Sequence, residues 1–196
     1  MNRNRRSAAG AGVALAACVT LAGAAAEGAP QLSTALAVGA AGHGDRSKLW
    51  SSTDFATGLR GDLLFGRTKD ADFGAGPYIE TITTTGFSDL QLGGGGTLLV
   101  PVHPYLPVTL SLGGFAAHDA AHGWYPGFAG ELFWGSHGYN YESAYALSAG
   151  LFGGVRYGLE PSRDVSILVG ARLDLEIIAL PFILLWNAAR GSDPAR

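Results

Sequence analysis

The chain has 196 residues, enough for one ordinary domain, with 47% hydrophobic residues, 15% charged residues and 30 glycines, a profile that excludes a disordered or coiled-coil protein. A formal charge of −3 with a mean hydropathy of +0.19 leaves no basic excess to hold a phosphate backbone, so no nucleic-acid partner is expected. The lone cysteine, Cys18, excludes an internal disulfide and a cysteine-based zinc cluster, and no metal or cofactor is expected.

Arg3, Arg5 and Arg6 precede a stretch from Ser7 to Ala26 that carries no charge, the basic and apolar regions of a secretory signal peptide. Ala24-Ala25-Ala26 supplies the small residues of a cleavage site, so residues 1–26 are expected to be removed and the mature chain to begin at Glu27. Taking those three arginines from the 13 basic residues leaves 10 against 16 acidic ones, a net −6. Leu15-Ala16-Ala17-Cys18 offers a competing reading as a lipidation site, with Cys18 acylated and kept as the first residue. The run Val19 to Ala26 stays apolar where a lipoprotein turns polar, which favours ordinary cleavage.

Beyond residue 30 apolar residues recur at alternate positions, the period of a half-buried strand. Strands are expected over 32–42, 53–66, 71–83, 89–102, 105–118 and 124–135, divided by clusters such as Gly42-His43-Gly44-Asp45, Arg67-Thr68-Lys69-Asp70 and Gly86-Phe87-Ser88-Asp89. A seventh runs from Tyr145 to Tyr157, with Leu147, Leu151 and Val155 opposite Ser148, Phe152 and Arg156. The eighth runs from Val165 to Ile177, with Val169, Leu173 and Leu175 opposite Arg172, Asp174 and Glu176, and Glu160-Pro161-Ser162-Arg163 turns between the two. No helical stripe occurs between residues 30 and 175. Eight strands with both ends on one side fit an all-β, antiparallel up-and-down barrel over residues 27–179, with a tail over 180–196. In that tail region Ile177 to Trp186 is apolar, contains Pro181 and is too short to span a membrane as a helix. Two readings stay open: a short interfacial helix starting near Pro181 at the periplasmic rim, or the end of the last strand with Trp186 as a terminal barrel-assembly signal. The ten residues after Trp186 depart from the pattern in which that aromatic ends the chain.

Alternation does not say which face is inside, so residue type must. The polar face is mostly small, as in Ser33, Ala35, Ala37 and Gly39, or Gly93, Gly95 and Thr97, and the mature chain has only two lysines, Lys48 and Lys69. A wall in water would be rich in long polar residues; small ones suit a narrow tube. Aromatic spacing is an independent ruler. Phe55 and Phe65 stand ten residues apart, about 33 Å at roughly 3.3 Å per residue, which projects to about 25 Å at a tilt of roughly 40°. Trp124 and Trp134 repeat that spacing, Tyr145 and Tyr157 stand twelve apart, and Phe73 joins the same set. Together they read as the aromatic girdle of a transmembrane barrel.

With its export signal, alternation, girdle and length, the chain resembles the small eight-stranded barrels of the bacterial outer membrane over roughly residues 31–179. The resemblance implies an outer-membrane location, contact with outer-membrane lipid and insertion by the barrel-assembly machinery, and it carries no family-specific motif. In this phase Arg60, Asp62, Glu80, Glu131, Arg156, Arg172, Asp174 and Glu176 face inward, with Tyr78, Phe115, Phe133 and Phe152 beside them. An eight-stranded interior is just wide enough for side chains, so a salt-bridged, non-conducting core is expected, with Arg172 reaching towards Arg60 and Asp62. The chain is accordingly read as a structural or interaction protein of the envelope, its partner there unspecified, and not as an enzyme. The alternatives are a soluble periplasmic lipocalin-like binder and an outer-membrane lipid-modifying enzyme with a rim site, for which His43, Asp45, Ser51 and Ser52, or Ser136 and His137, supply the residue types. His118-Asp119-Ala120-Ala121-His122 resembles a zinc-protease motif but lies in a short connection rather than on a helix, so it reads as a polar loop. Gly93 to Gly96 is not followed by a helix and reads as small strand packing rather than a phosphate loop.

Overall fold

In the computed structural model the described residues are 29–44, 48–84, 89–120, 123–159 and 163–190. The expected signal peptide over residues 1–26, Cys18, Asp45, Gly86 to Ser88, His122 and Glu160 to Ser162 lie outside them. The alternating segments form eight strands: β1 (Gln31–Gly44), β2 (Ser52–Leu64), β3 (Gly74–Thr84), β4 (Asp89–Val100), β5 (Val108–Asp119), β6 (Gly123–His137), β7 (Ser148–Gly158) and β8 (Val165–Asp174). Each pairs antiparallel with the next, and β8 closes on β1 in the register Ala35↔Asp174 to Gly44↔Val165. Closure gives each strand a neighbour on both sides, so the strands can be long while most of their backbone polar groups are paired.

The period-two pattern sorts the side chains as expected. Tyr78, Phe115, Phe133 and Phe152 are buried inside, while Leu59, Ile79, Leu98, Leu112, Phe128, Val155 and Val169 are 43–75% exposed outside. The small residues of the inner face make room for the large ones. A Cβ added at Gly127 would run into the Phe115 ring, and one added at Gly170 would meet both the Val38 carbonyl and the Phe152 ring. The run Gly93 to Gly96 sits within β4, where a Cβ on Gly93 would press on the Glu80 carboxylate.

Most boundaries shift by one to three residues from the sequence reading, β3 and β5 for instance starting at Gly74 and Val108 rather than at 71 and 105, and two of the shifts change the architecture. β7 begins at Ser148 rather than Tyr145, because Ala144 to Ala146 leaves the β6–β7 connection to bridge Leu32 of β1 in parallel. That bridge continues the sheet beyond the end of the shorter β8. β8 itself stops at Asp174, and a helix, α1 (Leu175–Arg190), follows without a linker. The barrel therefore ends five residues before the expected boundary at 179, and the helix starts six residues before Pro181. No helix among the described residues is long and apolar enough to cross a membrane.

Connections on the side of the termini, 65–73, 101–107 and 138–147, are longer than most of those opposite, 45–51, 85–88, 120–122 and 159–164.

Candidate functional site

The inward residues of β2 to β8 converge on one buried polar cluster. Arg60 on β2 grips Asp62, two residues on and so on the same face, through Nη2 and Nε at 2.6–3.0 Å. Its Nη2 also donates to Ser111 Oγ at 2.7 Å and its Nη1 to Glu131 Oε1 at 3.2 Å, while Glu80 stands 3.7 Å away. The guanidinium lies over the Tyr78 ring at 3.9 Å, close enough for a cation–π contact. Arg156 on β7 donates to Glu80 Oε1 at 2.6 Å and to Gln91 Oε1 at 3.1 Å. Arg172 on β8 donates to Glu131 Oε1 at 2.7 Å and faces Phe152 at 5.0 Å. Arg172 thus reaches Arg60 through Glu131 rather than through Asp62.

Three arginines and three carboxylates make this cluster formally neutral. Neutrality matters because burial of an unpaired charge costs several kcal/mol. Of the eight charges expected in the lumen, Arg60, Asp62, Glu80, Glu131, Arg156 and Arg172 are brought together here. Gln91 and Ser111 complete the set; both occupy inward positions of their strands, but a search restricted to charges passes over them. The cavity left beside the cluster, between Asp62, Thr109, His137 and Arg172, measures about 10 Å³, room for about one water.

Asp174 and Glu176 are placed elsewhere. Asp174 is fully buried at the rim, where its carboxylate accepts from the Tyr145 hydroxyl at 2.8 Å, the Ser148 N–H at 3.3 Å and the Glu176 N–H at 2.8 Å. It is the N-cap of α1, and Glu176 lies exposed in the helix's first turn. Strand alternation misassigned Glu176 because the backbone turns helical one residue after Asp174. Asp174→Ala should leave the barrel folded and lower its stability by about 1–2 kcal/mol, the cost of a lost cap, as read by chemical denaturation of the refolded protein.

The girdle divides similarly. Phe55, Phe73, Trp124 and Trp134 are exposed on the outer face, while Phe65 and Tyr157 are half-buried there. Tyr145 is instead a rim latch whose hydroxyl lies 2.6 Å from Thr34 Oγ1 as well as meeting Asp174. Burial raises this hydroxyl's pKa above its usual value, and the adjoining Asp174 carboxylate adds to the rise against the Thr34 hydrogen bond.

The two ends of the barrel differ. On the terminus side the 138–147 connection is pinned across the mouth: Gln31 donates to the carbonyls of Asn140 and Ser143 and accepts from the Asn140 N–H, and Asp70 accepts from the Tyr139 N–H at 2.6 Å. Arg67 fills the remaining gap, fully buried, with Nη2 donating to the His137 carbonyl. Burial pushes the Arg67 guanidinium down from its usual pKa, with Asp70 and Asp72 opposing the shift. The opposite end is a cup of about 540 Å³ whose wall includes His43, Asp54, Asp89, Asp119, Tyr125 and Asp164.

At this cup His43 does not assemble with Ser51 or Ser52 in the manner of a hydrolase. The Ser51 hydroxyl donates to the His43 carbonyl, and the His43 ring lies 3.0 Å from Ser166 Oγ and 3.4 Å from Asp54. Ser166 is only 7% exposed and stands opposite both His43 and Arg156 in the strand ladders. Ser136 and His137 point to opposite faces of β6, His137 buried and Ser136 exposed. His118 packs edge-on against Trp124 at 5.2 Å. Among the described residues no three His, Cys, Asp or Glu side chains are placed to hold a metal. Compared with family models, curated proteins and solved structures, the chain has no match in any of the three comparisons.

Proposed function

We propose that this chain is a structural or interaction protein of the bacterial outer membrane, a spanning barrel whose lumen is filled with paired side chains and conducts nothing. One observation carries the reading: most of the large aliphatic residues of the strands face outward, while the inward face closes, with a few aromatics, around a neutral cluster of three arginines and three carboxylates. A soluble ligand-binding barrel needs the reverse, with its apolar residues around a cavity and its charges in water. The export signal and the girdle spacing support the same location, with outer-membrane lipid around the belt and insertion by the barrel-assembly machinery.

Transmembrane barrels usually have short turns on the periplasmic side. Here the terminus side carries the longer connections, with Val102, Tyr105 and Tyr141 exposed on them, which supports that side as the face offered to an envelope partner.

The test is fractionation followed by planar-bilayer recording. The mature protein should stay with membranes through a carbonate wash, and the purified barrel should show no steady conductance. Release into the soluble fraction would overturn the membrane reading. Stable channels whose ion selectivity followed substitutions at Glu80 or Glu131 would replace the structural reading with transport.

A further inference from the structure

We infer that α1 lies flat in the boundary between acyl chains and headgroups on the terminus side of the barrel, an interfacial arm that extends the lipid-facing belt beyond the barrel wall. This rests on the reading of the barrel as membrane-spanning and adds to it a second, separately placed contact with lipid.

The starting point of the arm is fixed. Asp174 ties the first turn of α1 to Tyr145 and to the first residue of β7, so the helix leaves the wall at one defined place. Leu32, Leu147 and Leu173 are exposed on the outside at that end of the barrel. The apolar belt therefore reaches the base of the helix.

From Leu180 on, the described side chains of the helix are exposed. It meets the wall chiefly at β1 and β8, and Leu180, Phe182, Leu185 and Trp186 remain 47–70% exposed. From Ile177 to Trp186 there is no charged residue. A helix apolar around its circumference requires apolar surroundings. Sixteen residues span about 24 Å at roughly 1.5 Å each, short of the hydrocarbon core of about 30 Å, so it does not cross.

The exposed side chains identify the occupant. Leu180 and Phe182 are two residues apart, roughly 200° around the axis, and so lie on opposite sides of the helix. A second copy of α1 covers one stripe and leaves the other in water. Lipid covers both. Trp186, near the end of the apolar run, is the residue type that favours the membrane interface, and Pro181 interrupts the hydrogen-bond ladder that a long, straight helix–helix seam would need.

The experiment uses the mature chain refolded into phosphatidylcholine vesicles, with Trp50, Trp124 and Trp134 replaced by Phe so that Trp186 alone emits. Lipids brominated at a shallow position should quench Trp186 more strongly than lipids brominated mid-tail, placing it about 5–10 Å into the boundary. Leu185→Asp should reduce that quenching without unfolding the barrel. A parallel protein whose only tryptophan is introduced by Leu112→Trp in the belt reports on the barrel itself, and mid-tail bromines should quench it most. Quenching at position 112 with none at Trp186 overturns the arm and leaves the membrane barrel standing; quenching at neither overturns the barrel reading too. If Trp186 is shielded from bromines, and removal of residues 175–196 turns a dimer into a monomer, the occupant is a second copy and the inference fails.

Discussion

Arg60→Met should destabilise the barrel by about 3–5 kcal/mol, the range for removing one partner of a buried ion pair. The size reflects the charge that the substitution strands. Glu80 keeps Arg156 and Glu131 keeps Arg172, each at 2.6–2.7 Å, so the one carboxylate left without a cation is Asp62. Arg60 also holds Ser111 Oγ and covers the Tyr78 ring, and both lose a partner. The double variant Arg60→Met/Asp62→Leu should recover most of the loss, because it removes the stranded charge and fills the space with apolar atoms. Urea unfolding of the refolded proteins, read by gel mobility, measures both. A loss below about 1 kcal/mol for the single variant is what an exposed pair gives, and it would mean that water enters the lumen and the cluster is not a plug. Failure of the double variant to recover would mean that shape rather than charge balance holds the core.

The part of this cluster that was legible in the sequence is the part that depends on strand phase. Arg60, Glu80, Glu131, Arg156 and Arg172 all fall on the small-residue face, and a period of two leaves no choice of side once a segment is known to be a strand. Which of them touch is a matter of register across strands. Glu131 and Arg172 are 41 residues apart and Glu80 and Arg156 are 76 apart, and no local pattern couples such positions. The same limit hid the neighbours of His43, since Ser166 lies 123 residues away. The end of β8 had a local signal that alternation masked. Asp174, followed by an acid in the first turn and a run apolar on both phases, is an N-cap pattern. Leu173, Leu175 and Ile177 also satisfy a period of two, so alternation alone extends the strand past its end. Tyr145 escapes a local pattern for a related reason: its spacing from Tyr157 matches a girdle, but the chain at Ala144 to Ala146 pairs with β1 and not yet with β6 or β8.

Leu112→Arg should cost about 2–4 kcal/mol in a membrane, the penalty for arginine at the bilayer midplane. Leu112 is 75% exposed and pairs with Gly130, which stands near the middle of the interval between Trp124 and Trp134. Leu151 is also outward, but it pairs with Trp134 and so sits at the level of the girdle, where the same change should cost only about 0–1 kcal/mol because the penalty falls towards the interfaces. The contrast is sharper than either value alone. Neither side chain contributes to the lumen, so both variants leave the ionic plug intact, and the difference between them reports depth. Unfolding in vesicles should rank Leu112→Arg well below Leu151→Arg, and the ranking should collapse when the two are compared in dilute detergent, where an arginine can reach water from either position. In a soluble barrel both substitutions would place a charge on a wet surface and change stability by less than about 0.5 kcal/mol. Two equally harmless arginines would therefore remove the lipid from around the belt, and with it the reason for its leucines.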